Sequence, residues 1–147
     1  KIKVMKNIKH WKKKGFFKAA ELFTSSRLTQ GVDVELSCDR EAIEDHPGVY
    51  LIVHKGKVLK VGQSSNLYAR IYTQYKGIVN STNNFVREEI KRKYNSVEFY
   101  VLPTSKEMTT VAGYTFMINL QKGLEEAMLK GYWDKYQDIP KLNRQKN

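Results

Sequence analysis

Two short runs of strand-forming residues, Gly48-Val49-Tyr50-Leu51-Ile52-Val53 and Lys57-Val58-Leu59-Lys60-Val61-Gly62, stand three residues apart. Runs this rich in Val, Ile, Leu and Tyr, joined by so short a link, point to an antiparallel hairpin. His54-Lys55-Gly56 forms the link, and a three-residue loop wants its third residue in the left-handed region, which Gly56 supplies. That loop pairs Val53 with Lys57, Ile52 with Val58 and Tyr50 with Lys60. One face then carries Val49, Leu51, Val53, Leu59 and Val61, and the other Tyr50, Ile52, Val58 and Lys60. A two-residue turn at Lys55-Gly56 would set Lys60 opposite Leu51, inside the apolar row. Slipping by one residue exchanges the faces, so the hydrophobic pattern selects the first register. A phenol and an ammonium are thus expected side by side across two strands.

The neighbouring segments extend this frame. Ser64 or Ser65 can cap a helix with Leu67, Ile71 and Tyr75 on its buried side, and Arg70 lies on that helix. A second helix is expected over Asn83–Tyr94, with Phe85 and Ile90 inward and a basic exterior that includes Arg87 and Lys91. Val97–Leu102 alternates as a third strand, and Thr109–Lys130 reads as a long helix burying Val111, Met117, Leu120, Leu124 and Met128.

Upstream, Lys1 to Arg27 holds nine basic residues against one acid, Glu21. Trp11, Phe16, Phe17, Ala20, Leu22 and Phe23 recur there at roughly helical spacing, with a break near Gly15. The pattern predicts a basic helical arm that either clamps DNA through Lys12, Lys13, Lys14 and Lys18 or docks with its lysines in solvent. Thr24 to Gly31 reads as a loop, Val32–Leu36 as a short strand, and Asp39–Asp45 as a helical turn stopped by Pro47. The expected architecture is α+β, a small three-stranded antiparallel sheet flanked by helices. An N-terminal arm would span 1–45 and the main domain 46–147.

Composition narrows the partners. A length of 147 residues suits one modest core, and 41% hydrophobic residues suffice to fold it. The 26 Lys and Arg against 15 Asp and Glu give a net charge of +11, which favours a polyanion, since each neutralised phosphate releases counterions. Cys38 is the only cysteine, and His10, His46 and His54 lie far apart, so a structural zinc is not expected. No apolar run approaches the ~20 residues of a membrane span, and a soluble, cytoplasmic protein with no membrane partner is expected. The chain opens on Lys1, which leads one to expect a few residues before it.

Strand, tight turn, strand, then a helix bearing an arginine is the arrangement of the GIY-YIG nuclease superfamily, which this sequence resembles. Gly48-Val49-Tyr50 looks like the GIY element and Lys60-Val61-Gly62 like the YIG element, with ten-residue steps from Tyr50 to Lys60 and from Lys60 to Arg70. The resemblance covers roughly Gly48 to Asn143. Lysine replaces the second tyrosine, as in some restriction endonucleases of the superfamily. The family's metal-holding glutamate falls on Glu125, which keeps an apolar residue before it and two at the third and fourth positions after; Glu126 is the alternative. Ile139-Pro140-Lys141-Leu142-Asn143 resembles the closing element, with a longer gap from the glutamate than usual.

What the resemblance implies is a Mg²⁺- or Mn²⁺-dependent endonuclease acting on double-stranded DNA, with one ion per active site. Tyr50 would activate a water, and Lys60 would lower the pKa of Tyr50, bind water or contact the phosphate. Arg70 would hold the scissile phosphate through its planar fork of donors, and Glu125 would ligate the ion. Gly62 and Asn143 would support the site. The family often has a tyrosine or histidine four positions after the arginine, where Gln74 stands; Tyr75 or Tyr72 could substitute. A site-specific enzyme of restriction or phage type would work as a homodimer matching a palindrome. The alternatives are a structure-specific repair nuclease and a catalytically silent binding module on the same scaffold.

Overall fold

The structure, a computed structural model, describes residues 4–24, 32–75 and 84–143. All of the predicted Thr24–Gly31 loop beyond Thr24, the start of the helix expected at Asn83 and the Gln74 side chain lie outside the described residues. A short helix α1 (Ile8–Lys12) is followed by strands β1 (Phe17–Phe23) and β2 (Asp33–Leu36), then by β3 (Gly48–His54) and β4 (Lys57–Ser64). Helix α2 (Leu67–Ala69) runs into a π-helical segment over Arg70–Tyr75, and α3 (Asn84–Glu89) into another over Ile90–Tyr94. Strand β5 (Ser96–Pro103), a separate hairpin of β6 (Glu107–Val111) and β7 (Tyr114–Ile118), and helix α4 (Leu120–Tyr136) complete the order.

The main sheet has five antiparallel strands in the order β2-β1-β5-β3-β4 rather than three. The two additional strands come from upstream of residue 46: β2 falls on the short strand expected at Val32–Leu36, and β1 takes the place of the helix expected over the aromatic-rich arm. Gly15, at φ +106, does break the chain as expected. Beyond it Phe17–Phe23 is extended, and its pairing with β5 shifts register between Lys18 and Ala20. That bulge places the adjacent Ala19 and Ala20 in the same buried layer, while Phe16 is buried on the other side of the sheet, so the apolar residues do not alternate as in a regular strand.

The β3–β4 register also differs from expectation. Lys55 and Gly56, at φ 51 and 81, make a two-residue turn, so His54 pairs with Lys57 and Val53 with Val58. A bulge then shifts the ladder, so Ile52 faces Lys60 and Tyr50 faces Gly62. Val58 joins Val49, Leu51, Val53 and Val61 on one face, while Leu59 joins Tyr50 and Ile52 on the other. The extra residue restores parity downstream, which is how Lys60 escapes the apolar row despite the short turn.

Both sheet faces are covered. The Tyr50 face packs under Leu67, Ile71 and Tyr75, with Val86 and Ile90. The Val49 face packs against Trp11 and Phe16, and against Met128 and Tyr132 of α4. Each apolar side chain so buried stabilises by roughly 1.5–3 kcal/mol. Trp11 stacks on Tyr132, and its Nε1 donates to the Met5 carbonyl at 2.8 Å, so the N-terminal segment is docked on the body. Phe85, expected inward, is exposed, and Val86 takes its place. The helix expected from Thr109 begins only at Leu120, because Thr109-Thr110-Val111 and Tyr114-Thr115-Phe116 pair as strands around Ala112-Gly113. Val111, Met117 and Leu120, expected in the core, are therefore exposed. Among the described residues no helix is long and apolar enough to cross a membrane.

Candidate active site

The site is built around a tyrosine laid flat on a glycine. Tyr50 is 2% exposed, and its ring stacks on Phe99 at 4.7 Å between centroids. It also lies so close over Gly62 that a Cβ there would meet the phenol oxygen at 2.5 Å and press on Cζ. Gly48 is needed similarly, since its Cβ would meet the Leu102 carbonyl at 2.5 Å.

The helix that carries Arg70 starts at Asn66, whose side chain accepts from the Ala69 amide at 3.1 Å. Ser64, one of the two expected caps, instead braces Asn66 by accepting its amide at 3.1 Å. From Arg70 the coil widens, and a π turn closes after five residues rather than four. Tyr75 therefore stands one turn from Arg70, where an α-helix would have placed Gln74. Its hydroxyl meets that of Tyr50 at 2.9 Å. Arg70 is part-buried and donates from Nη2 to the Gln63 carbonyl at 3.1 Å.

Lys60 follows the β4 bulge on the edge strand of the sheet. The edge is stapled there by Asn143, whose Oδ1 accepts from the Val61 amide and whose Nδ2 donates to the Val61 carbonyl, both at 2.8 Å. Glu125 arrives from α4 and is half-buried, whereas Glu126 beside it is exposed.

The charges act on one another. Burial pushes the Tyr50 phenol above its ordinary value; Arg70 and the Tyr75 hydrogen bond pull against this, and Glu125 adds to it. Burial likewise lowers Lys60, opposed by Glu125 and helped by Arg70. Glu125 is raised by burial, with Lys60 and Arg70 opposing. Tyr75 rises well above the usual tyrosine value through burial and its contact with Tyr50. Arg70, not Lys60, is the cation that draws Tyr50 down, because the shifted register moves the ammonium off the phenol. Four side chains from two strands and two helices thus share one electrostatic environment.

The fold is one found in nucleases. Bacteriophage T4 EndoII, solved in a mutant form, superposes with TM-score 0.64 at 19% identity, covering 86% of this chain and 95% of that one. Restriction endonuclease HPY188I in complex with product DNA superposes with TM-score 0.54 at 19% identity, covering 95% and 87%. No protein-family model and no curated protein matches the sequence.

The basic residues singled out for DNA divide sharply. Lys12, Lys13 and Lys14 are exposed. Lys18 sits in β1 and is ion-paired with Glu98 at 3.2 Å, and Lys91 with Glu88 at 3.7 Å. Arg87 is not on the exterior: it is 4% exposed, and its charge acts on Tyr75. Val86 and Ile90, four apart, define the inward face of that helix, and the same spacing in the sequence could have turned Arg87 inward too. Among the described residues no three His, Cys, Asp or Glu side chains converge as a metal cluster.

Proposed function

We propose that this chain is a divalent-metal-dependent endonuclease of the GIY-YIG type that hydrolyses double-stranded DNA at specific sites. The observation that supports the reading is that Tyr50, Lys60, Arg70 and Glu125 act electrostatically on one another within one partly buried region. Hydrolysis needs an activated water, charge stabilisation on the phosphoryl oxygens and relief of the leaving oxygen. Arg70 presents a planar donor fork to the scissile phosphate. Once Tyr50 has given up its own proton to solvent, which Arg70 and the Tyr75 hydroxyl favour against burial, the water oxygen attacks phosphorus and its proton passes to the phenolate oxygen, while Tyr75 donates to that oxygen and holds it in place. The bond from phosphorus to the departing strand breaks. Lys60, lowered by burial, is better suited than an ordinary lysine to exchange a proton with water or with the departing oxygen.

Glu125 fits a single Mg²⁺ or Mn²⁺: its carboxyl is desolvated, and it faces two cations that favour its ionised form. With one carboxylate available, waters and a phosphate oxygen would complete the shell. The ion would supply charge neutralisation on the phosphoryl oxygens.

Duplex contacts fall to the exposed Lys12, Lys13 and Lys14. The homodimer expected of a site-specific cutter would use the β6–β7 hairpin. Val111, Tyr114, Phe116 and Ile118 share one face of that ribbon and are 40–77% exposed there. At ~200 Å² for a fully exposed large side chain they offer roughly 450 Å², a little over half of the ~800 Å² per partner of a standard interface. Residues 107–118 hold one charge, Glu107, on a chain of net +11, so two copies can meet there with least repulsion and DNA phosphates find no cation.

Mixed-sequence plasmid incubated with Mg²⁺ or with chelator tests the reading. Discrete bands are expected only with the metal. Tyr50→Phe should cut about 10²–10⁴-fold more slowly, and Glu125→Ala should bind without cutting. Full activity in Glu125→Ala would overturn the assignment.

A further inference from the structure

A cavity of about 180 Å³ opens between the start of α4, the root of the β6–β7 hairpin, and the chain just outside β3 and β4. Pro47, Met117 and Ile118 give it apolar walls, with Ser65 and Lys106 also at its margin. Gln121 also lines it, is 3% exposed, and among the described residues its amide has no hydrogen-bond partner. An amide that lines a recess and has no protein partner is left to water or to an occupant whose edge matches it.

The occupant's chemistry can be narrowed. A phosphate offers only acceptors, so it cannot answer the amide carbonyl, and mostly apolar walls solvate it poorly. A nucleobase has flat apolar faces and an edge on which donor and acceptor stand side by side, the complement of a glutamine amide. The cavity is also smaller than the ~300–1,000 Å³ of a site for a drug-sized ligand, which suits one ring system. Its location is equally specific. Gln121 precedes Glu125 by four residues, on the stripe of α4 that continues through Met128 and Tyr132. One helical turn, ~5.4 Å, separates it from the proposed metal ligand, which is within the reach of a single nucleotide.

We infer that this cavity receives an unstacked base of the cut strand, next to the scissile phosphate, with the Gln121 amide on its edge and Pro47 and Met117 against its faces. The inference rests on the nuclease reading. It makes the ease of unstacking at one position a determinant of where the enzyme cuts, so mismatched and flexible steps are favoured.

Duplexes containing a mapped cleavage site, with 2-aminopurine placed in turn at each flanking position, test this when bound to Glu125→Ala protein. A severalfold rise in fluorescence is expected at one position beside the cut. It should be absent when Gln121→Leu or Met117→Trp is added, with duplex affinity little changed. Met117 is at the exposed rim, so Met117→Trp decides the matter should Gln121→Leu unfold. Duplexes that the wild type cuts, yet that brighten at no position or still brighten in the variants, overturn the subsite alone. A wild type that neither binds nor cuts them removes the nuclease reading and the subsite with it.

Discussion

The molecule contains two hairpins with the same turn and opposite fates. Lys55-Gly56 and Ala112-Gly113 both place two successive residues at positive φ, the geometry that suits the twist of paired strands. The β3–β4 hairpin is sealed: β5 pairs with one side, Ile8 donates its amide to the Gly56 carbonyl at 2.8 Å, and Asn143 staples the other edge. Among the described residues the β6–β7 hairpin pairs only with itself, and Tyr114 at its tip is 77% exposed. Local turn chemistry makes a hairpin in both places, but only packing fixes where its side chains point. An isolated two-stranded ribbon is marginal in water, so the first hairpin can hold the proposed catalytic groups in place and the second could not.

The strongest way to break that contrast is the same substitution made in each hairpin. Gly62→Ala drives a methyl into the Tyr50 ring, whereas at Gly113 a Cβ meets nothing within 4 Å. Overpacking at Gly62 should lower stability by about 1–3 kcal/mol, and displacement of the phenol should slow cutting by roughly 10²-fold or more. Gly113→Ala carries only the left-handed backbone penalty, about 1–2 kcal/mol, and should leave cutting intact. Thermal melts and plasmid nicking on both proteins measure this. Equal losses of activity would mean that Gly62 is not a catalytic support.

The same contrast explains what the sequence reveals. Tyr50, Lys60 and Arg70 are legible because their spacing follows a strand, a turn and a helix that all lie in the packed core. Their register is not, because Val58 and Leu59 are both apolar and either can face either side; a bulge between them leaves no mark. Phe17–Phe23 imitates a helix for the same reason, its bulge setting Ala19 and Ala20 side by side inside. Val111, Met117, Leu120, Leu124 and Met128 fit helical spacing, but Thr109, Thr110, Val111, Tyr114 and Phe116 around Ala112-Gly113 are strand formers. The long helix was favoured by periodicity where β-branched and aromatic composition spoke for a hairpin. Tyr75 depends on a π turn, which no residue pattern announces.

A smaller effect separates the site's charges from the hairpin's neutral surface. Burial raises Glu125 above its ordinary value. For a carboxyl raised on folding, the stabilising contribution is complete below the unfolded value of about 4.3 and is lost as pH rises through the folded value. Glu125→Gln should therefore melt higher than the wild type near neutral pH, while cutting is abolished. The gap should close as pH falls toward 4. A gap that stays constant with pH would show that Glu125 is not desolvated by the fold.

The hairpin is where monomer stability should change least. Tyr114 and Phe116 lie on one face of the β6–β7 ribbon and pack against nothing in the main core. Replacing both with lysine (Tyr114→Lys with Phe116→Lys) should shift folding stability by no more than about 0.5 kcal/mol, the usual range for surface changes. What should change is assembly: light scattering is expected to give a dimer for the wild type and a monomer for the double variant. Cutting should shift with it, from both strands at once toward single-strand nicks, because each site acts on one strand. A double variant that stays dimeric would move the interface elsewhere, and one that melts several degrees lower would show that the ribbon is packed rather than bare. Either result would erase the difference between the two hairpins, since that difference lies in what covers them and not in how they turn.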